Sequence, residues 1–167
     1  VKSCVGKEFC RFGTQYTTRL GIRLEKTFEY IDTPHKFKMG VSGCPRSCVE
    51  SGVKDFGIIS VENGFQIYIG GNGGTEVEKA EFLTTVETED EVIKLCGALM
   101  QYYRETGIYA ERTAPWLRRL GFENVKEVLL NPERQNELFD LKVQFLDSYY
   151  CEAQESNDYL YEGVETD

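Results

Sequence analysis

The chain has a single histidine, His35, in 167 residues. That scarcity excludes any zinc site needing two imidazoles from within the chain. No apolar run approaches the ~20 residues of a membrane-spanning helix, and no secretory hydrophobic region stands near the start. There is no internal repeat. A glycine-rich stretch exists at Gly70-Gly71-Asn72-Gly73-Gly74, but no Gly-Lys-Ser/Thr follows it, so it is not a phosphate loop. Basic charge is scarce overall, with 19 Lys/Arg against 28 Asp/Glu and a net charge of −9. An acidic chain does not suit nucleic acid or an anionic membrane as a partner. The hydrophobic fraction of 41% is ordinary, and the length fits one domain with a real core. Because the chain begins at Val1 and its first motif cysteine is Cys4, it reads as a piece of a longer polypeptide.

What is present is unevenly placed. Up to Ser51 there are nine Lys/Arg against five Asp/Glu, and beyond it ten against 23. The basic excess coincides with four of the six cysteines. It suits an anionic cofactor or substrate, or it is chance variation over a short segment. Cys4 and Cys10 form a CX5C motif, and Cys44 and Cys48 form CX3C. In a small secreted domain six cysteines would suggest three disulfides. A chain of this length with no export signal is expected to keep reduced thiols, in the cytoplasm. Thiolates are soft ligands, which leaves zinc, copper(I) or an iron–sulfur cluster. Zinc knuckles space their cysteines more tightly than CX5C, whereas a four-iron cluster tolerates wide and unequal spacings. The spacing favours a cluster, with structural zinc or disulfides as the non-enzymatic alternatives.

The central stretch is Lys36-Phe37-Lys38-Met39-Gly40-Val41, whose alternation predicts a strand ending at Ser42-Gly43. Pro45 suits a first helical position, so a helix is expected to open at Cys44 and set Cys44 and Cys48 one turn apart. Lys36 and Lys38, two apart on a strand, would share a face. They would form either an anion site or a solvated edge. Around this stretch, Thr17 or Thr18 is expected to cap a helix running to about Ile31, with Leu20, Leu24, Phe28 and Ile31 on one face. A hairpin is expected from Asp55–Val61 through Glu62-Asn63-Gly64 to Phe65–Ile69. The glycine-rich loop that follows is either a surface lying against a large flat cofactor or a mobile hairpin exit. A strand is expected at Phe82–Val86. Thr88 and Glu91 form a capping box for a helix to about Thr106, with Cys96 on its apolar face and Gly107 as its C-cap. Another helix is expected from near Ala110, through Trp116. From Pro132 the composition shifts. One helix is expected over Glu137–Tyr150, then a solvated, partly disordered acidic tail from Cys151. The fold class is α/β (α+β), a mixed sheet flanked by helices, with residues 1–131 as the domain and 132–167 as helix and tail.

The motifs CVGKEFCRFGTQ (Cys4–Gln15) and KFKMGVSGCPRSC (Lys36–Cys48) resemble the siroheme and iron–sulfur domain of the nitrite and sulfite reductases. KDFGII (54–59), YIGGNGG (68–74) and ERTAPWLRRLGFENVKEVLL (111–130) extend the likeness to about Asn131, and the last two look most like NAD(P)H-dependent assimilatory nitrite reductases. The resemblance implies that Cys4, Cys10, Cys44 and Cys48 ligate a 4Fe–4S cluster, with Cys48 also bridging to siroheme. It implies that Arg11, Arg46, Lys36 and Lys38 are candidates to neutralise siroheme carboxylates, that the Asn72 loop lies against the macrocycle, and that Lys36 and Lys38 also face the reacting anion as catalytic groups. Arg46 stands where the family's CPNxC pattern often has Asn. The implied activity is the six-electron reduction of nitrite to ammonium, with sulfite as the alternative substrate. FAD and NAD(P)H, and the ferredoxin-like half that completes the pocket, would sit on other domains of the longer polypeptide. A small reductase subunit is a further candidate partner. The isolated chain is expected to be inactive.

Overall fold

In a computed structural model the backbone is described for residues 1–161 and the side chains for residues 1–146. Apolar residues alternating through 56–69 form the middle of the sheet. Strand β3 (Phe56–Val61) turns back into β4 (Gly64–Ile69) with Val61 opposite Gly64, which closes the hairpin on Glu62-Asn63. Phe56, Ile58, Ile67 and Ile69 are fully buried. Strand β2 (Met39–Ser42) pairs parallel with β3, and the short β1 (Lys2–Ser3) pairs parallel with β2. Strand β7 (Glu81–Val86) joins β4 antiparallel, so the sheet order is β1-β2-β3-β4-β7. A small separate hairpin, β5 (Asn72–Gly73) with β6 (Val77–Glu78), holds the glycine-rich stretch. The α/β expectation and the mixed sheet are both observed.

Helices α2 (Thr17–Phe28) and α3 (Glu89–Thr106) bury their apolar stripes, including Leu20, Leu24, Val92, Leu95 and Leu99, in a core shared with β2, β3 and β4. Cys96 is fully buried, its thiol faces the Met39 sulfur at 3.8 Å, and burial pushes its pKa up. Helices α4 (Thr113–Leu120) and α5 (Phe122–Leu130) follow. Trp116 packs edge-on against Tyr102 and Tyr103, and its indole N–H donates to Thr106 Oγ1 at 2.9 Å. No helix among the described residues is long and apolar enough to cross a membrane.

Helices α2 and α6 differ from expectation at both ends. Helix α2 starts at Thr17 without a threonine cap, because the Thr17 hydroxyl donates to the Cys4 carbonyl at 2.8 Å instead. It stops at Phe28, ahead of Tyr30 in the left-handed region at φ 63°. Helix α6 runs from Pro132 to Tyr161. It begins earlier than expected because Asn131 Oδ1 accepts from the N–H groups of Glu133 and Arg134, capping a helix that has Pro at its first position. It continues past Cys151 because no glycine or proline interrupts the chain before Gly163. Leu138 is fully buried in the core, and Lys142 lies over the rings of Phe28 and Phe139 at 4.5 and 5.2 Å. The Cys151 side chain and the expected tail over 162–167 lie outside the described residues.

The capping box on α3 is formed as expected: Glu91 N–H donates to Thr88 Oγ1, and Thr88 N–H donates to the Glu91 carboxylate. Thr88→Ala is expected to cost about 1 kcal/mol, measured by urea unfolding. The backbone hydrogen bond from Thr88, then its hydroxyl, holds the Glu91 pKa below the ordinary carboxylate value. A carboxylate whose folded pKa is depressed stabilises above its unfolded pKa and loses that contribution as pH falls through the folded value. Stability should therefore fall on acidification through the carboxylate range, and less steeply in Glu91→Gln.

Candidate metal centre

The two cysteine motifs are 34 residues apart from Cys10 to Cys44 in the sequence. The fold stitches them together at the end of β2. Cys4 N–H donates to the Val41 carbonyl at 2.9 Å, which extends the β1–β2 pairing up to the first cysteine. From the other strand, Gly43 N–H points at Cys4 Sγ at 3.4 Å, and Gly6 N–H points at the same sulfur at 3.3 Å. Thr14 closes the loop, donating its N–H and hydroxyl to the Gly43 carbonyl at 2.7 and 3.1 Å. Cys10 ends the single turn of α1 (Gly6–Phe9), its N–H donating to Gly6 at 2.9 Å. Cys4 thus sits against the residue that precedes Cys44.

Gly43 is what lets the loops meet. A Cβ there would lie 2.8 Å from Gly6 Cα and 3.1 Å from Cys4 Sγ. The backbone cannot give way without separating the motifs. Gly43→Ala is expected to destabilise the chain by about 1–3 kcal/mol through overpacking, and to lower iron uptake by more than the loss of folded protein explains. Denaturant unfolding and iron counts on the same samples check both parts.

No helix opens at Cys44, contrary to the expectation from Pro45. The chain makes two successive turns, with Ser47 N–H donating to Cys44 at 3.1 Å and Glu50 N–H donating to Ser47 at 2.8 Å. Pro45 takes the first central position of the first turn, where its fixed φ fits as well as it would in a helix. Ser47 and Glu50 are left-handed, at φ 50° and 60°, and each breaks any helical run. One 3-10 turn at Ser51–Val53 then leads to β3. Cys44 is buried, Cys4 and Cys10 are half-buried, and Cys48 is exposed. These four and Cys96 are free thiols. Among the described residues, no three His, Cys, Asp or Glu side chains are grouped as a site for a single metal ion.

The cationic groups fall into two sets. Arg11 and Arg46 meet at the cysteine end, where both guanidinium groups lie over the Phe12 ring, at 4.6 and 3.9 Å from its centroid. The lysines do not join them. Strand β2 begins only at Met39, because the Lys38 N–H is taken by the Asp55 carboxylate at 2.8 Å. Lys36 and Lys38 therefore precede β2 while Cys44 follows it. At ~3.3 Å per extended residue, Lys38 is separated from Cys44 by roughly 15–20 Å. The two lysines line different hollows. Lys36 lines a cavity of about 280 Å³ with Glu25, Phe37 and Met100. Lys38 lines one of about 240 Å³ with Glu50, Lys54, Gly73 and Val77. Glu50 bridges Lys54 at 3.3 Å and Lys2 at 3.4 Å, and the Lys54 hydrogen bond, then that of Lys2, holds the Glu50 pKa below its ordinary value.

Asn72 lies at the lysine end. Its side-chain N–H donates to the Glu76 carbonyl at 2.9 Å within its own hairpin. The adjoining Gly71 packs on backbone, since a Cβ there would fall 2.6 Å from the Lys54 carbonyl oxygen. Close approach to Val53–Lys54 is therefore one reason for glycine in this stretch.

Sequence reasoning missed Asp55, which is fully buried. One Arg112 Nη donates to its two carboxylate oxygens at 3.0 and 2.9 Å, and the Thr113 hydroxyl donates to it as well. With the Lys38 N–H, this carboxylate ties the entry of β2 to the start of α4. The only signal was an acidic residue heading a run of strand-forming apolar ones. Phe12 was also missed, since nothing in its spacing marks it.

Soft thiols on two joined loops, with two backbone donors aimed at the Cys4 sulfur and two guanidinium groups beside the motifs, are donor chemistry of the kind an iron–sulfur cluster uses. Comparison with known proteins agrees. The chain is 54% identical over 138 residues to "Nitrite reductase [NAD(P)H]" of Bacillus subtilis, covering 83% of this chain and 17% of that protein. It is 41% identical over 132 residues to "Nitrite reductase (NADH) large subunit" of Escherichia coli, covering 78% and 16%. The chain thus spans about one sixth of the length of these curated relatives. The solved structure of dissimilatory sulfite reductase I shares the fold, with a TM-score of 0.69 at 18% identity over 76% of this chain and 51% of that one. Residues 1–137 match the family model described as the nitrite and sulphite reductase 4Fe-4S domain, and the chain belongs to that family.

Proposed function

We propose that this chain is the cluster- and siroheme-binding part of an assimilatory nitrite reductase that reduces nitrite to ammonium. The observation that carries the reading is the joining of CX5C to CX3C at the end of β2, with two N–H groups turned toward Cys4 Sγ. In this reading Cys4, Cys10, Cys44 and Cys48 are the cluster ligands. Cys48, the exposed one, stands where a thiolate can be shared with a second metal group. The bound cluster and siroheme would supply storage and single-electron delivery to the anion. The chain's own residues do the rest. Cys44 is shielded from solvent, Gly6 and Gly43 donate to sulfur, and Arg11 and Arg46 neutralise carboxylates of siroheme. Asn72 and its hairpin, together with Lys38 and Lys54, extend the polar and cationic surface along the segment that follows Cys48. Lys36 faces a different cavity, so a catalytic part for it depends on how the rest of the polypeptide is arranged.

Electrons from NAD(P)H, through a flavin, would come from the remainder of the longer polypeptide, which would also complete the pocket; a small subunit is a further candidate partner. Reduced thiols of this kind suit the cytoplasm. The test is turnover. The longer polypeptide carrying this chain, loaded with iron, sulfide and siroheme, is expected to produce ammonium from nitrite with a reduced viologen dye, and its Cys48→Ser variant is not. A higher kcat/KM for sulfite than for nitrite would select the sulfite reductase reading. One zinc per chain with no iron would select the structural reading.

A further inference from the structure

We propose that Phe12 is a positioning residue. It holds Arg11 and Arg46 as a preorganised clamp for the carboxylates of a polycarboxylate tetrapyrrole. The inference rests on the siroheme reading above and adds a part that the reading does not contain. Phe12 is 42% exposed and outside the core, so burial does not account for it. The Arg46 guanidinium carbon is 3.9 Å from its ring centroid and that of Arg11 is 4.6 Å away. The two arginines come from different cysteine motifs and meet on this ring.

Their lack of acidic partners is informative in an acidic chain. Of the other seven arginines, Arg19, Arg23, Arg112, Arg118, Arg119 and Arg134 pair with Asp or Glu, and Arg104 donates to Gln101 and lies over the Phe145 ring. Among the described residues, neither Arg11 nor Arg46 has a carboxylate within salt-bridge distance. Two like charges brought to one ring repel, and an aromatic face offsets part of that cost through its quadrupole. A guanidinium stacked on a ring keeps its N–H edge free, and that edge matches a carboxylate in planar, bidentate geometry. The arrangement is therefore that of an anion receptor whose side-chain entropy has been reduced in advance. Two forks brought to one ring suit a ligand bearing several carboxylates around a rigid rim.

The test uses the full chain and uroporphyrin, a metal-free polycarboxylate tetrapyrrole whose binding does not require a cluster. Affinity is read from porphyrin fluorescence at several salt concentrations, with thermal melting as a check on folding. The wild-type chain is expected to bind with an affinity that falls as salt rises. Phe12→Leu should weaken binding about fivefold, and Phe12→Trp should restore it. In the Arg11→Gln/Arg46→Gln background, Phe12→Leu should have no further effect, because the ring acts through the arginines. Equal binding by Phe12→Leu and wild type would overturn the inference while leaving the arginines as carboxylate contacts. An equal loss in both backgrounds would also overturn it, showing that Phe12 touches the ligand itself. Binding unchanged in the double arginine variant, or none by the wild type, would overturn the carboxylate reading and the inference with it.

Discussion

Anaerobic incubation of the reduced chain with iron and sulfide is expected to load about four irons per chain, the content of a 4Fe–4S cluster. Cys4→Ser, Cys10→Ser, Cys44→Ser and Cys48→Ser should each lose most of the iron and most of the signal seen by EPR after dithionite reduction. Serine keeps the size of the side chain and replaces the soft donor with a hard one, so the loss reports ligation rather than packing. Cys96→Ser is the internal control. Its thiol is fully buried against Met39, so the variant should lower stability while leaving the iron count of the folded fraction unchanged. A Cys44→Ser chain that loads iron like wild type would remove Cys44 from the ligand set. One zinc per chain, taken up in preference to iron, would replace the cluster reading altogether.

The second large effect is expected at Asp55. Its carboxylate is fully buried and receives the Arg112 guanidinium, the Thr113 hydroxyl and the Lys38 N–H. Removing one member of a buried charge pair leaves the other charge uncompensated, which costs about 3–5 kcal/mol. Asp55→Asn keeps the size and part of the hydrogen bonding, so a loss near 3 kcal/mol is expected, and Asp55→Ala should reach the upper value. For a chain of this size that corresponds to a fall in Tm of roughly 6–20 °C. Urea unfolding should show a lower midpoint with an unchanged slope. The double variant Asp55→Asn/Arg112→Met should lose less than the two single losses added together, because the stranded charge is gone. A cost below about 1 kcal/mol for Asp55→Asn would mean that packing of Trp116 and Leu117, and not this ion network, holds α4 on the sheet.

Much of the fold was legible because its signals are local. The hairpin at Glu62-Asn63, the capping box at Thr88 and Glu91 and the apolar stripes of α2 and α3 each depend on residues within a few positions of one another. Errors arose where a long-range partner overrode a local preference. Pro45 is equally at home in a helix and in a turn, and the two left-handed residues after it decide for turns. Lys36-Phe37-Lys38 alternates like a strand, but Asp55 takes the backbone donor that a ladder would need. Asn131 and Pro132 form a legible helix start, yet the compositional shift drew attention to the later Glu137.

The sequence by itself determined the donor types: four soft thiols in two motifs, a basic excess around them, no second histidine and a mixed α/β pattern. Residue types and short spacings carry that information, because ligand softness and helical or strand period are properties of the chain alone. Only the tertiary structure decided which of those groups meet. It brought Gly43 against Cys4 Sγ, set Arg11 and Arg46 on one ring, and left Lys36 and Lys38 beyond the other end of β2. Those outcomes depend on strand pairing and on a buried carboxylate, both made between residues far apart in the chain. No short-range pattern encodes where two distant loops will touch.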